Sequence, residues 1–255
     1  MSISPRLRRG LLRVTGVGAV LAIWQIASTT GTLNAEAAPP PASALSALGH
    51  LVRTGSFWAG AGDTMRAWAL GVAVTIVIGV PLGVMLGARP RLWRWCRPTI
   101  EAIRPIPPVV VLPLAILILG TGFSFTAVLI AQGAVWPLLI MTRYGVTSVP
   151  DVTIETVRIY RIDLMRRIVF VRLGQAVPLL GSGLRIAAGT AFAIAIMAGL
   201  VAGGPGLGQN LTLASQANDL PLTFALTIAV GLFGLVILLG FGALERRVTR
   251  WRVDT

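Results

Sequence analysis

Six apolar segments separated by arginine-rich stretches constrain this chain more than any other feature. They cover residues 11–29, 65–88, 107–120, 123–144, 179–202 and 222–244. A helix needs roughly 20 apolar residues to cross a hydrocarbon core about 30 Å thick. Inside lipid the backbone must satisfy its own polar groups, which a helix does. Only 12% of the residues are charged and 55% are hydrophobic, against roughly 25% charged in a soluble domain. The fold class that follows is an all-α membrane protein of about six transmembrane helices. Pro81, Pro113 and Pro137 fall inside the spans and predict kinks that neighbouring helices absorb.

The third segment is short and interrupted by Pro113, so a re-entrant hairpin is an alternative. Charge placement argues for a crossing. With six spans and an inner N-terminus, twenty of the 22 arginines lie on the inner side, and only Arg53 and Arg66 lie outside or at the outer boundary. A third segment that turned back would split 89–104 from 143–172 across the membrane, against the positive-inside rule. Residues 1–10 and 245–255 are then short cytoplasmic ends around a membrane domain over 11–244. The N-terminus has a rival reading as a signal peptide, with Arg6, Arg8, Arg9 and Arg13 before the apolar run and Ala35-Glu36-Ala37 as a cleavage site.

The net charge of +13 does not imply nucleic acid. All 22 basic residues are arginine, and they sit where headgroups would meet them. The single cysteine, Cys96, and single histidine, His50, argue against a disulfide framework, a metal centre and Ser-His-Asp chemistry. Residues 42–52 have a helical apolar pattern suited to the outer interface, with Trp58 and Trp68 as interfacial indoles. In the first inner loop, Arg89, Arg91, Arg94 and Arg97 alternate with Trp93 and Trp95, again an interfacial pattern. Pro98, Pro105, Pro107 and Pro108 there predict broken helix leading into the third span.

The second inner loop, 147–178, is long, polar and arginine-rich, whereas a protein that only spans would need a short turn. Ser148-Val149-Pro150-Asp151 fits a capping box and predicts a helix from about Val149 to Tyr160. Asp163 is a candidate N-cap for a second helix over 164–173. Glu155 and Arg158 are spaced to pair on the surface. Ile154, Val157, Ile159 and Ile162 leave apolar surface that a partner would cover.

Four stretches resemble the membrane subunits of binding-protein-dependent ABC importers, in the branch for nitrate, aliphatic sulfonates and taurine. They are PTIEAIRPIPPVVVLPLAILILGTG at 98–122, GVTSVPDVTIETVRIYRID at 145–163, AVPLLGSGLRIAAGTA at 176–191 and GGPGLGQNL at 203–211. The likeness extends over about 39–244 and implies the type I importer permease fold. It also implies that 147–178 holds a coupling helix seated on a cytoplasmic ABC ATPase, with Asp151, Ile154, Glu155, Val157, Arg158, Ile159, Arg161, Ile162 and Asp163 as coupling residues. The chain departs from the family pattern: Thr156 and Val157 stand at the usual alanines, Arg161 at a usual glycine, and Leu173-Gly174 at a usual Leu-Pro. A left-handed arginine costs on the order of 1 kcal/mol relative to glycine, so a differently built turn is expected.

The resemblance further implies a permease homodimer, an extracytoplasmic solute-binding protein and a multi-pass place in the bacterial inner (plasma) membrane. ATP belongs to the partner ATPase and this chain carries no cofactor: it has no GxxxxGK[ST] motif and no lysine to complete one. GGPGLGQ at 203–209 reads as an outer turn. Thr126, Gln132, Ser182 and Thr190 are candidates for the translocation path, against the plain alternative of helix–helix hydrogen bonding. Arg185, near the start of the fifth span, either attracts anions at the inner mouth or anchors its helix. The alternatives are a permease of this kind for a pyrimidine or flavin-type vitamin precursor and, from a different class, an ATPase-independent secondary carrier. The latter would show repeats and intramembrane acids, and neither is evident.

Overall fold

Where two helices meet in lipid, water offers no hydrophobic drive, and close backbone approach over small residues takes its place. That rule organises this protein. Residues 5–30, 39–163 and 166–249 are described by the computed structural model. The chain runs through α1 (Pro5–Thr29), α2 (Pro41–Leu51), α3 (Gly55–Ala88), α4 (Pro90–Ile103), α5 (Pro108–Leu119), α6 (Phe123–Thr147) and α7 (Asp151–Ile159). It continues with α8 (Arg167–Ala202), α9 (Leu207–Gln216) and α10 (Leu220–Thr249). No strand occurs among the described residues. The proposed cleavage site at 35–37 lies outside the described residues.

Two compact units divide the chain, one formed by 1–58 with 210–230 and the other by 59–209 with 231–255. In the first, Trp24 stacks obliquely on Phe224 with ring centroids 5.6 Å apart. Ala44, Phe57, Ala225 and Leu226 are buried. Asp219 caps α10, its Oδ1 accepting the Leu222 N–H at 3.0 Å. The indole of the exposed Trp58 donates to the Val52 carbonyl at 2.9 Å, and His50 is exposed, as expected.

In the second unit α6 is the central post. Along α3, Gly71, Gly79, Gly83 and Gly87 recur on one face. A Cβ at Gly71 would lie 2.6 Å from Ile130, and one at Gly83 would lie 2.7 Å from the Leu139 carbonyl. Glycine is therefore required there by approach, not by torsion. On another side of α6, a Cβ at Gly145 would lie 2.7 Å from Ala176 of α8, and one at Gly183 of α8 would lie 2.7 Å from Met141. Phe125, Leu129, Ile130 and Leu138 of α6 and Ala187 and Ala191 of α8 fill the core.

Several expectations change. α3 begins ten residues before the predicted span. The first inner loop is helical: α4 continues through Pro98, whose missing hydrogen bond falls on an exposed stretch. α4 and α5 meet at 88°, across the proline-rich 104–107. α5 has 12 residues, about 18 Å, short of a bilayer by itself. Among the described residues four helices, α3, α6, α8 and α10, are long and apolar enough to cross, or five if α4 and α5 form one broken span. Trp68 is no belt residue. Its indole donates to the Ala188 carbonyl at 3.0 Å and its ring meets Phe241 edge-on. Trp93 lies under the guanidinium of Arg143, 3.9 Å from the ring centroid, whereas Trp95 is 84% exposed.

Candidate coupling surface and transport path

The loop after α6 is built by hydroxyls and one left-handed residue. Ser148 does not cap the following helix. Its Oγ donates back to the Gly145 carbonyl at 2.8 Å, closing α6. The Pro150 carbonyl accepts the N–H groups of Thr153 and Ile154, so α7 starts at Asp151 rather than Val149. At its far end the Ile162 N–H bonds to the Val157 carbonyl at 3.1 Å around Arg161, whose φ is +50°. This is a Schellman closure. Contrary to expectation, arginine adopts the conformation glycine would, and the turn keeps its form. The end of α9 makes the same closure with Asn218 at φ +57° and Asp219 N–H on the Ala214 carbonyl, using a residue better suited to it. Arg161→Gly is therefore expected to raise stability by about 0.5–1 kcal/mol, read as a higher midpoint in thermal unfolding.

The nine residues named from the sequence do not share one face. Asp151, Glu155, Ile159, Arg161, Ile162 and Asp163 are exposed. Ile154 is half-buried, and Val157, 5% exposed, is packed inward and unavailable to a partner. The side chain of Arg158 lies outside the described residues, and with it the proposed pairing to Glu155. Four exposed apolar residues of the loop were missed: Val152, Tyr160, Val169 and Phe170. Ile159 and Tyr160 are 78% and 76% exposed, an unusual cost for large side chains unless covered.

The second loop helix was expected as a separate piece over 164–173. Residues 164 and 165 lie outside the described set. From Arg167 to Leu173 the chain is π-wound and passes without a break into the rest of α8. The Asp163 carbonyl accepts the Arg167 N–H at 2.9 Å.

The path candidates are divided by their hydrogen bonds. Thr126 Oγ1 donates to the Gly122 carbonyl at 3.1 Å and lines a cavity of about 10 Å³ with Thr64 and Gly204, room for about one water. Thr190 is half-buried on α8. Ser182 Oγ donates to Glu245 Oε1, and Arg185 pairs with Glu245 Oε2 at 3.6 Å. Glu245, from α10, was invisible as their partner because 63 residues separate it from Ser182. An anion at Arg185 would compete with this carboxylate, so the geometry favours the anchoring role. The cluster borders an apolar recess of about 230 Å³ lined by Val177, Leu180, Leu184, Phe241 and Val248. Gln132 Nε2 donates to the Ile106 carbonyl at 3.0 Å, tying α6 to the bend between α4 and α5.

The 203–209 stretch is a turn followed by helix. Thr64 Oγ1 accepts the Leu207 N–H at 2.9 Å and donates to the Gly60 carbonyl at 3.0 Å, latching the start of α9 to α3. Thr64→Val leaves a buried N–H without its partner and is expected to cost about 1–3 kcal/mol, measurable as a lowered unfolding midpoint.

Comparison with known proteins agrees with this architecture. Residues 79–250 match the family described as binding-protein-dependent transport system inner membrane component. The taurine transport system permease protein of Escherichia coli (strain K12) is 26% identical over 97% of this chain and 92% of its own length. A putative aliphatic sulfonates transport permease protein of Bacillus subtilis (strain 168) is 27% identical over 91% and 84%. The bicarbonate transport system permease protein of Synechocystis sp. (strain ATCC 27184 / PCC 6803 / Kazusa) is 27% identical over 95% and 91%. Among solved structures, a chain of the MetNI methionine ABC transporter in an inward-facing conformation superposes with a TM-score of 0.67 at 23% identity, covering 74% of this chain and 94% of that one. The chain is thus a multi-pass membrane protein of the type I importer permease fold, and it belongs to the family of binding-protein-dependent transport system inner membrane components.

Proposed function

We propose that this chain forms the path by which a small oxyanion, of the sulfonate, nitrate or bicarbonate kind, enters a bacterial cell. A cytoplasmic ATPase docked on α7 drives the path by alternating access. Two copies of the chain frame the path, and an extracytoplasmic binding protein delivers the solute. ATP is held by the ATPase. The reading rests most on α7: a short helix in the family-matched region presenting Val152 and Ile159, with Tyr160 just past its end, to solvent, in a chain with no nucleotide motif of its own. The placement of the arginines supports an inner location for both chain ends.

Uptake of radiolabelled taurine, ethanesulfonate, nitrate and bicarbonate tests it, in cells producing this chain with the ATPase and binding protein encoded beside it. At least one solute is expected to accumulate, and accumulation is expected to stop when the ATPase cannot hydrolyse ATP. Accumulation that persists without the ATPase would favour a secondary carrier instead.

A further inference from the structure

We infer that Gln132 and Trp136 form one solute-contact position in the transport path, selective for solutes that carry a hydrogen-bond donor beside an oxyanion. This rests on the transport reading above. The two residues stand four apart on α6, so their side chains share a face of the helix. The amide of Gln132 has only one possible orientation. The Ile106 carbonyl can only accept, so the nitrogen must face it, as it does at 3.0 Å. Oε1 is thereby turned away, and it is buried without a partner. One turn on, Trp136 Nε1, which can only donate, is also buried without a partner. An acceptor and a donor left unmade on residues one turn apart are expensive to keep in a membrane protein unless something fills them.

The surroundings sharpen the chemistry. Gln132 holds the bend between α4 and α5, where Pro105, Pro107 and Pro108 have no N–H. The N–H groups of Arg104 and Ile106 are already bonded, to the carbonyls of Ile100 and Ile103. The bend therefore offers no free backbone donor over 104–108. Trp136 is the donor at hand for an oxyanion, and Gln132 Oε1 is the acceptor for an ammonium or hydroxyl. Gly133 keeps the walls in place: a Cβ there would come within 2.8 Å of Pro108 of α5 and would also strike Ile194 of α8. An aminosulfonate or bicarbonate presents both kinds of group. Nitrate and a plain alkanesulfonate present acceptors only and leave Gln132 Oε1 unsatisfied.

The test is ¹⁵N-indole NMR of the full chain in lipid nanodiscs, with the Trp136 resonance assigned by its absence in Trp136→Phe. Taurine is expected to move that resonance saturably, with a midpoint about three- to tenfold below that of ethanesulfonate, the worth of one added hydrogen bond. In Gln132→Leu the two midpoints should converge. A Trp136 resonance that no solute moves overturns the inference, leaving ordered water or the second copy as the partner. Equal midpoints for taurine and ethanesulfonate in the unaltered chain overturn it equally, without reliance on a variant that folds poorly. Failure of transport is seen separately, in the uptake assay, so the two readings fall independently.

Discussion

Gly208→Ala is expected to prevent stable folding. α9 begins against α8 with almost no space: a Cβ at Gly208 would overlap the Ile196 carbonyl oxygen and approach the Leu200 nitrogen to 2.8 Å and Gly199 Cα to 2.9 Å. These are backbone atoms, so no rotamer change relieves the clash. Leu207 beside it is fully buried and its N–H is engaged by Thr64, so α9 cannot slide outward without breaking that bond. Overpacked cores lose roughly 1–3 kcal/mol, occasionally more. This case belongs at or above the top of that range. Thermal unfolding of the detergent-solubilised protein checks it, with Gly231→Ala as control. Gly231 has open space around its Cβ position, so alanine there should be neutral or stabilising by up to about 1 kcal/mol through helix propensity. Similar midpoints for the two variants would mean that α9 does not seat on α8 as described.

Ile159→Arg is expected to abolish co-purification with the ATPase while leaving the fold intact. Its side chain is 78% exposed at the end of α7, so the arginine meets water in the free subunit and costs the fold little. In a complex the same position would desolvate a charge. Central apolar contacts of an interface carry about 2 kcal/mol or more each, which weakens association roughly thirtyfold. Val157→Ala supplies the contrast. Val157 is buried, so its truncation should lower the unfolding midpoint without a specific loss of ATPase binding. If Ile159→Arg still co-purifies at wild-type yield, α7 is not the docking element and the coupling mechanism proposed above falls.

The helical membrane fold was legible because apolar length and arginine placement are properties of the chain alone. What escaped depended on neighbours. Ser148 precedes α7 in a capping pattern, but its hydroxyl serves equally well behind α6, and only the path of the backbone decides. Ile154, Val157 and Ile159 look alike in sequence. Which of them faces inward depends on how α7 docks on the rest of the protein, so Val157 was counted as surface and Val152 and Tyr160 were overlooked. Pro98 read as a breaker because an interior proline loses a hydrogen bond, and exposure along α4 makes that loss tolerable. Arg161 was legible as a substitute for glycine, yet whether the chain would bear the strain or rebuild the turn was not. Glu245 could not be matched to Ser182 and Arg185 before α8 and α10 were brought side by side, and the vacant valences of Gln132 and Trp136 appear only once their helix has been packed.

The row of glycines on α3 also bears on the lipid around the protein. With no α3 side chain at residues 71, 79, 83 and 87 and the side chains of α6 filling the space there, the seam is too narrow for a methylene chain to enter. Acyl tails meet the two helices as one broad ridge with a shared outline, and fewer lipids are immobilised around the pair than around two separate cylinders.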